Sequence, residues 1–266
     1  MGVANDEDLP VTAYLTALAR AQPQLETGVP FDEYAPRFAE RCPARILRVM
    51  RKSAGLDVIL ERTRIVDAHL RMLLEGQPLH VVALGAGFDA RSHRLSWPVG
   101  SSMLELDNAS VVYVKNELLP VESAKVRLIR AVCDVSDLAA LSDILVKPAQ
   151  GRRVVVLCEG LLAYFRPNIV RELSRTLATF GSGTEMIADL MSTASARALS
   201  AVCSAEGIHL ELFGLEDLSP LEEAGWKCTA YRPLSTARST HRGLSGSAGR
   251  SQSTRVVDGV AGFVLG

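Results

Sequence analysis

The sequence predicts an α/β protein: a mostly parallel seven-stranded sheet with an antiparallel last strand, covered by helices and preceded by a helical N-terminal extension. Three observations carry this. From residue 79 on, short apolar runs at 79–84, 102–107, 125–133, 153–158, 184–190 and 227–233 alternate with helical patterns at 89–95, 108–119, 136–146, 167–180, 193–205 and 215–224. Such alternation places strands side by side with helices on both faces. The first 78 residues contain no convincing strand. At the other end, RVVDGVAGFVLG returns as an apolar run reached through a loop, so a hairpin with 227–233 is expected.

Within the extension, Val11 to Arg20 reads as one helix, FDEYAPRFAE as a short one and Ala44 to Met50 as another, separated by Pro23, Pro30 and Pro43. From Leu56 to Leu74, Ile59, Leu60, Ile65, Val66, Leu70, Leu73 and Leu74 recur at three- and four-residue spacing and mark one buried helix face. Gly76 and Pro78 stop that helix before the first strand. The expected organisation is a helical cap over residues 1–78 and a core over 79–266. Within the core, residues 235–254 are Gly- and Ser-rich and read as a flexible loop, because they lack the apolar side chains needed to order themselves.

A chain of 266 residues with 48% hydrophobic content can bury one large core. With 29 basic and 30 acidic residues it carries no global field for nucleic acid or an anionic membrane, so a small-molecule partner is expected. Oligomeric state is not legible. Cys42, Cys133, Cys158, Cys203 and Cys228 are widely spaced without a CxxC pair and read as reduced thiols, with neither a disulfide frame nor a metal site. No apolar run approaches the ~20 residues of a membrane span, and MGVANDEDLP is unlike a signal peptide. A soluble, cytoplasmic protein is expected.

The chemistry concentrates at residues 79–107. An apolar strand, Leu79 to Leu84, runs into Gly85-Ala86-Gly87, and a second ends at Glu105 and Asp107. Glycines at a strand-to-helix turn let a ligand lie against the backbone, and the helix N-terminus offers free N–H groups. Glu105 and Asp107, one residue apart in a strand, point the same way, and either can accept from a ribose. GAGFDA satisfies the dinucleotide fingerprint, with Glu105 twenty residues beyond Gly85. S-adenosylmethionine (SAM) fits the same architecture, so this stretch alone leaves NAD(P) and SAM both open.

Further candidates stand at strand ends. Asp134, in AVCDVSD, can receive an adenine amino group, with capping of the next helix by Asp134 or Ser136 as the competing role. Glu159 closes the fourth strand between apolar segments, where an unpaired charge is expensive and where ligands of open α/β sheets bind. On the long helix Arg62, or its neighbour Arg64, offers a planar fork to an amino-acid carboxylate. Among the histidines, His93 and His209 are placed to act as bases, and neither stands out. A short-chain dehydrogenase would carry Tyr-x-x-x-Lys; none of the five tyrosines has a lysine at that position.

LGAGFDARSHRL, the following ELD, CDVSD, CEGLLAYF and ERTRIVDAHL, in this order and spacing, resemble the leucine carboxyl methyltransferase family and its bacterial polyketide-type O-methyltransferase relatives, over roughly residues 10–230. The resemblance implies a class I SAM-dependent methyltransferase fold (Rossmann-like) whose N-terminal helices close over the cofactor. It implies that Arg62 holds the methionine carboxylate and that Gly85 and Gly87 line the methionine portion. Asp107, with Glu105 beside it, would take the ribose, Asp134 and the Val135 backbone adenine, and Glu159 the amino-acid moiety. Tyr164 resembles a substrate-side tyrosine. The chain departs from the family pattern at Ala90, usually Thr, at Asn108, usually Pro, and at Glu33, and it lacks the lysine some members place near Thr12 to Arg20. The resulting expectation is methyl transfer to an oxygen, carboxylate favoured because no base stands out. Hydroxyl methylation, an NAD(P)-dependent oxidoreductase and a SAM-binding protein without catalysis are the alternatives.

Overall fold

The computed structural model describes residues 11–24, 28–52, 56–145, 153–235 and 255–266. Four helices lead the described chain: α1 (Val11–Arg20), α2 (Ala35–Ala39), α3 (Ala44–Lys52) and α4 (Leu56–Leu74). There follow β1 (Leu79–Leu84), α5 (Arg91–Arg94), β2 (Ser102–Asp107), α6 (Ala109–Leu118), β3 (Arg127–Val132), α7 (Leu138–Leu145), β4 (Arg153–Cys158) and α8 (Pro167–Leu177). The chain closes with β5 (Glu185–Leu190), α9 (Thr193–Ala205), α10 (Ser219–Glu222), β6 (Trp226–Pro233) and β7 (Gly259–Leu265).

All seven strands form one sheet in the order β3-β2-β1-β4-β5-β7-β6. The pairs from β3 through β5 are parallel, and β7 runs antiparallel to both β5 and β6. The expected hairpin forms, with one addition: the last strand inserts between β5 and β6 instead of extending the edge. The loop expected at 235–254 lies outside the described residues, apart from Ser235.

Strand alternation builds two cores. Val81 and Ala83 pack with Val66, Leu70, Leu73 and Leu74 of α4 on one face. Val82 and Leu84 pack with α7, α8 and α10 on the other. A third cluster lies away from the sheet, where α1, α2 and α3 meet Phe88, Val111 and α9. Phe88 carries it, stacked on Phe38 at 4.5 Å and edge-on to Tyr14 at 5.0 Å. The N-terminal helices are thus fastened to the glycine turn and to α9.

Several elements are shorter than their sequence patterns. The helix expected over 215–224 is only Ser219–Glu222, and that over 89–95 only Arg91–Arg94. FDEYAPRFAE is helical only from Ala35, because Pro36 lies in the first turn and the preceding residues form turns.

Candidate functional site

A cavity of about 1350 Å³ opens at the carboxyl ends of β1, β2, β4 and β5, where the strand order reverses. Its floor is the glycine turn. Gly85 and Gly87 have φ of +58° and +48°, a left-handed bend that a side chain would strain, and a Cβ on Gly85 would come within 2.9 Å of Leu161 Cδ1. The bend is tied to β2, since Ala86 N–H donates to the Leu106 carbonyl at 3.1 Å.

Asp107, at the end of β2, lines the cavity and accepts from Gly87 N–H at 2.6 Å and from Asn108 N–H at 2.7 Å. Each oxygen retains a lone pair for a ligand hydroxyl. Burial pushes the Asp107 carboxyl up, against the lowering effect of those two N–H groups. The next residue, Asn108, is the N-cap of α6, accepting from Val111 N–H at 3.0 Å, which gives this departure from the family pattern a local reason.

Glu105 does not join Asp107. It is 1% exposed and does not line the cavity; Lys115 Nζ at 2.9 Å, Arg130 Nε at 2.8 Å and Ser92 Oγ at 3.0 Å enclose its carboxylate. The two acids share a strand face, but Arg130 stands opposite Glu105 on β3, whereas Asp107 reaches past the covered part of the sheet to the glycine bend. The expected ribose role for Glu105 is therefore corrected.

Asp134 and Val135 line the cavity beyond the end of β3. Asp134 Oδ1 accepts from Ser136 N–H at 2.9 Å and Ser136 Oγ–H at 2.6 Å, an Asx turn. The cap expected at Asp134 or Ser136 is instead Asp137, whose Oδ1 accepts from Ala140 N–H at 3.1 Å.

Arg62 and Glu159 meet on the cavity wall. Arg62 Nε donates to Glu159 Oε1 at 3.1 Å and Nη1 to Asp189 Oδ2 at 2.9 Å. Asp189, at the end of β5, also accepts from Gly160 N–H at 2.5 Å and lines the same cavity. The guanidinium lies 3.5 Å from where a Gly160 Cβ would stand, so Gly160, at φ +70°, admits it. Arg64 sits apart, its guanidinium 5.7 Å from the Phe31 ring centre.

Behind Glu159 lies a buried chain of alternating charge. Arg91, 1% exposed, reaches Glu159 Oε2 at 2.6 Å, Asp89 at 2.8 Å and Asp67 at 2.6 Å. Asp67 also takes Arg94, which leads on to Asp32 at 3.7 Å. Asp32 faces Arg20 at 3.9 Å, and Arg20 Nη2 donates to the Phe88 carbonyl at 3.0 Å. Burial alone would raise Glu159, but Arg91 and Arg62 outweigh it and hold the carboxyl below the usual range. Asp67 is lowered in the same way by Arg91 and Arg94.

Of the two histidines expected as bases, His93 and His209, the first is not free. His93 is fully buried, with Nε2 3.0 Å from the Pro120 carbonyl oxygen and Nδ1 2.9 Å from Ser92 Oγ, so it belongs to the scaffold. Tyr164 lines the cavity and donates to Thr12 Oγ1 at 2.5 Å; burial pushes its phenol up to about 12. The second, His209, lines the cavity. Among the described residues no group of three or more His, Cys, Asp and Glu is arranged to hold a metal ion.

The structure thus brings Arg62, Gly85, Gly87, Asp107, Asp134, Val135, Glu159 and Tyr164 to one cavity and leaves Glu105 out. Sequence reasoning missed Asp189 and Arg91. The first had a readable signal, an acid near the end of an apolar strand in IADL, the same feature that singled out Glu159. The second had none, because helix arginines are usually solvated.

A family model for leucine carboxyl methyltransferases matches residues 12–178. A provisionally named S-adenosyl-L-methionine-dependent methyltransferase of Frankia alni is 29% identical over 266 residues, covering 94% of this chain and 91% of its own. One from Mycobacterium tuberculosis is 34% identical over 121 residues, covering 44% of this chain and 40% of its own. Among solved structures, a provisionally named methyltransferase from Thermobifida fusca superposes with a TM-score of 0.60 at 14% identity, covering 98% of this chain and 96% of its own. Magnesium protoporphyrin IX methyltransferase from Synechocystis, solved with bound S-adenosylhomocysteine (SAH), gives 0.53 at 12% identity, covering 80% and 88%. At such identities the structural likeness speaks to the fold alone, the seven-stranded sheet of SAM-dependent methyltransferases. With the family match running from the first helix through β4 and α8, over well more than half of its length, this chain belongs to the leucine carboxyl methyltransferase family.

Proposed function

We propose that this protein transfers the methyl group of SAM to an oxygen of a small-molecule acceptor, a carboxylate before a hydroxyl, yielding a methyl ester and SAH. SAM dependence follows from the family and from the relatives named for it. The observation that carries the reading is the convergence of Arg62, Asp107, Asp134 and Glu159 on one cavity above a glycine bend. These residues suit SAM group by group. Arg62 keeps donors for a carboxylate, Glu159 has acceptor capacity for an ammonium, Asp107 faces a diol, and Asp134 with Val135 offers an acceptor and a backbone donor to adenine.

When bound, SAM supplies an electrophilic methyl on a sulfonium; the protein's part is to hold the acceptor oxygen in line with it, a contribution of about 7–11 kcal/mol in favourable cases. A carboxylic acid, with pKa near ~4, arrives ionised, whereas a phenol near ~10 needs a base. His93 is walled in, and the Tyr164 phenol, pushed up to about 12 by burial, stays protonated at neutral pH, which supports the carboxylate. His209, on the cavity wall, supports the hydroxyl reading as second. Titration calorimetry is expected to show SAM and SAH binding and no heat from NAD or NADP, and the reverse would end the methyl-transfer reading. With methyl-labelled SAM, alkali-labile label in product identifies an ester, and alkali-stable label an ether.

A further inference from the structure

We propose that the part of the cavity that SAM would not fill takes a carboxylic acid with a large apolar body, a chain of roughly ten to sixteen carbons or its equivalent in volume. This rests on the methyl-transfer reading above. The argument begins with size. A ligand of SAM's size fills on the order of 500 Å³, and the cavity holds about 1350 Å³. More than half is left for the acceptor, far beyond the needs of a small metabolite acid.

Much of the lining is apolar and comes from outside the sheet. Leu15 of α1, Ile59 of α4, Leu199 of α9 and Ile208, Leu210 and Leu212 after it all face the cavity. Leu15, Leu199, Ile208 and Leu210 also belong to the cluster that joins the N-terminal helices to α9, so the wall is a continuous hydrophobic unit. A small polar acid lodged there would leave its polar groups facing hydrocarbon, at a heavy desolvation penalty. An apolar chain gains by every methylene it buries.

The carboxylate end comes from the methyl-transfer reading, and the lining offers it cations. Arg20, Arg62 and Arg91 face the cavity and each lies beside carboxylates of the protein. α3 adds Arg45 to the lining and the 207–212 segment adds His209, with Thr12, Thr16 and Ser195 as neutral hydroxyls. The carboxylates on the lining are Asp89, Asp107, Asp134, Glu159, Asp189 and Asp258, none of them from α1, α3 or α9. Transfer forms one carboxylate O–CH₃ bond and breaks one S–CH₃ bond, whose electron pair stays on sulfur, so no proton, oxidant or further reactant is required.

The test is a chain-length series of straight-chain acids from six to sixteen carbons, titrated calorimetrically into the full chain saturated with SAH. The dissociation constant is expected to fall roughly three- to fourfold per added methylene until that part of the cavity is full. Leu199→Trp should weaken the longer acids at least tenfold while leaving SAM and SAH affinity within twofold; Leu199→Phe is the milder substitute if the first does not fold. Arg45→Ala should weaken all the acids by a similar factor and preserve the slope. A flat series, or tighter binding of small polar acids, overturns the proposal while SAM binding stands. Equal binding of the matching alcohols removes the anionic group from it. Failure of the unaltered protein to bind SAM would instead sink the methyl-transfer reading itself.

Discussion

Replacing Asp107 by alanine is the sharpest single perturbation of the cofactor site. The carboxylate lies at the end of β2, and each oxygen already takes one backbone N–H, from Gly87 at 2.6 Å and Asn108 at 2.7 Å. One lone pair per oxygen remains, which fits two vicinal hydroxyls. A hydrogen bond to a charged group contributes about 1.5–3 kcal/mol, so losing one predicts SAM binding weaker by roughly ten- to a hundred-and-fiftyfold, and losing both by more. Asp107→Asn, which keeps one carbonyl acceptor, should fall between. Because burial raises the Asp107 carboxyl, SAM affinity in the unaltered protein should decline on acidification at a higher pH than an ordinary aspartate would dictate. Calorimetry from pH 7 downward, with a thermal melt to verify folding, measures both effects. Affinity for Asp107→Ala within twofold of the unaltered protein, in a folded variant, would refute the reasoning.

Three other outcomes are expected. Arg62→Ala should weaken SAM at least tenfold yet leave 5′-methylthioadenosine, which lacks the amino-acid end, nearly unaffected; equal losses for both ligands would make Arg62 purely structural. Glu105→Ala should destabilise by about 3–5 kcal/mol by stranding two buried cations, a melting temperature lower by roughly 6–20 °C, while a folded fraction binds SAM normally. Finally, Asp67 and Glu159 are held below the usual carboxylate range, so their contribution to stability is complete above the ordinary carboxylate pKa of ~4 and is lost as pH falls through their depressed native values. Thermal melts between pH 7 and pH 3 should be flat and then fall, and Asp67→Asn should flatten that fall from a lower starting point.

What was legible in the sequence was local. Strand ends, the glycine bend and the acids beside them are written in consecutive residues, so Asp107, Asp134 and Glu159 could be found without coordinates. What was hidden depends on contacts between distant segments. Glu105 and Asp107 are indistinguishable by alternation, and only Lys115 and Arg130, brought in by α6 and β3, separate the scaffold acid from the ligand-facing one. Arg91 reads as an ordinary helix arginine until Asp67, from α4, and Glu159, from β4, close on it. The capping ambiguity at Asp134 resolved onto Asp137 because an Asx turn uses up the first acid before the helix begins.

The position of β7 bears on how the molecule is assembled. β5 carries Asp189 at its end, and its outer edge is satisfied by β7, through Asp189 opposite Val260, with β6 beyond. During synthesis that edge has no partner until β7, made well after β5, has left the ribosome, so this flank of the ligand cavity is completed late. An unpaired edge at that stage invites pairing with other chains. Lesions in VAGFVL should therefore appear first as aggregation of nascent protein, and only second as defects in catalysis.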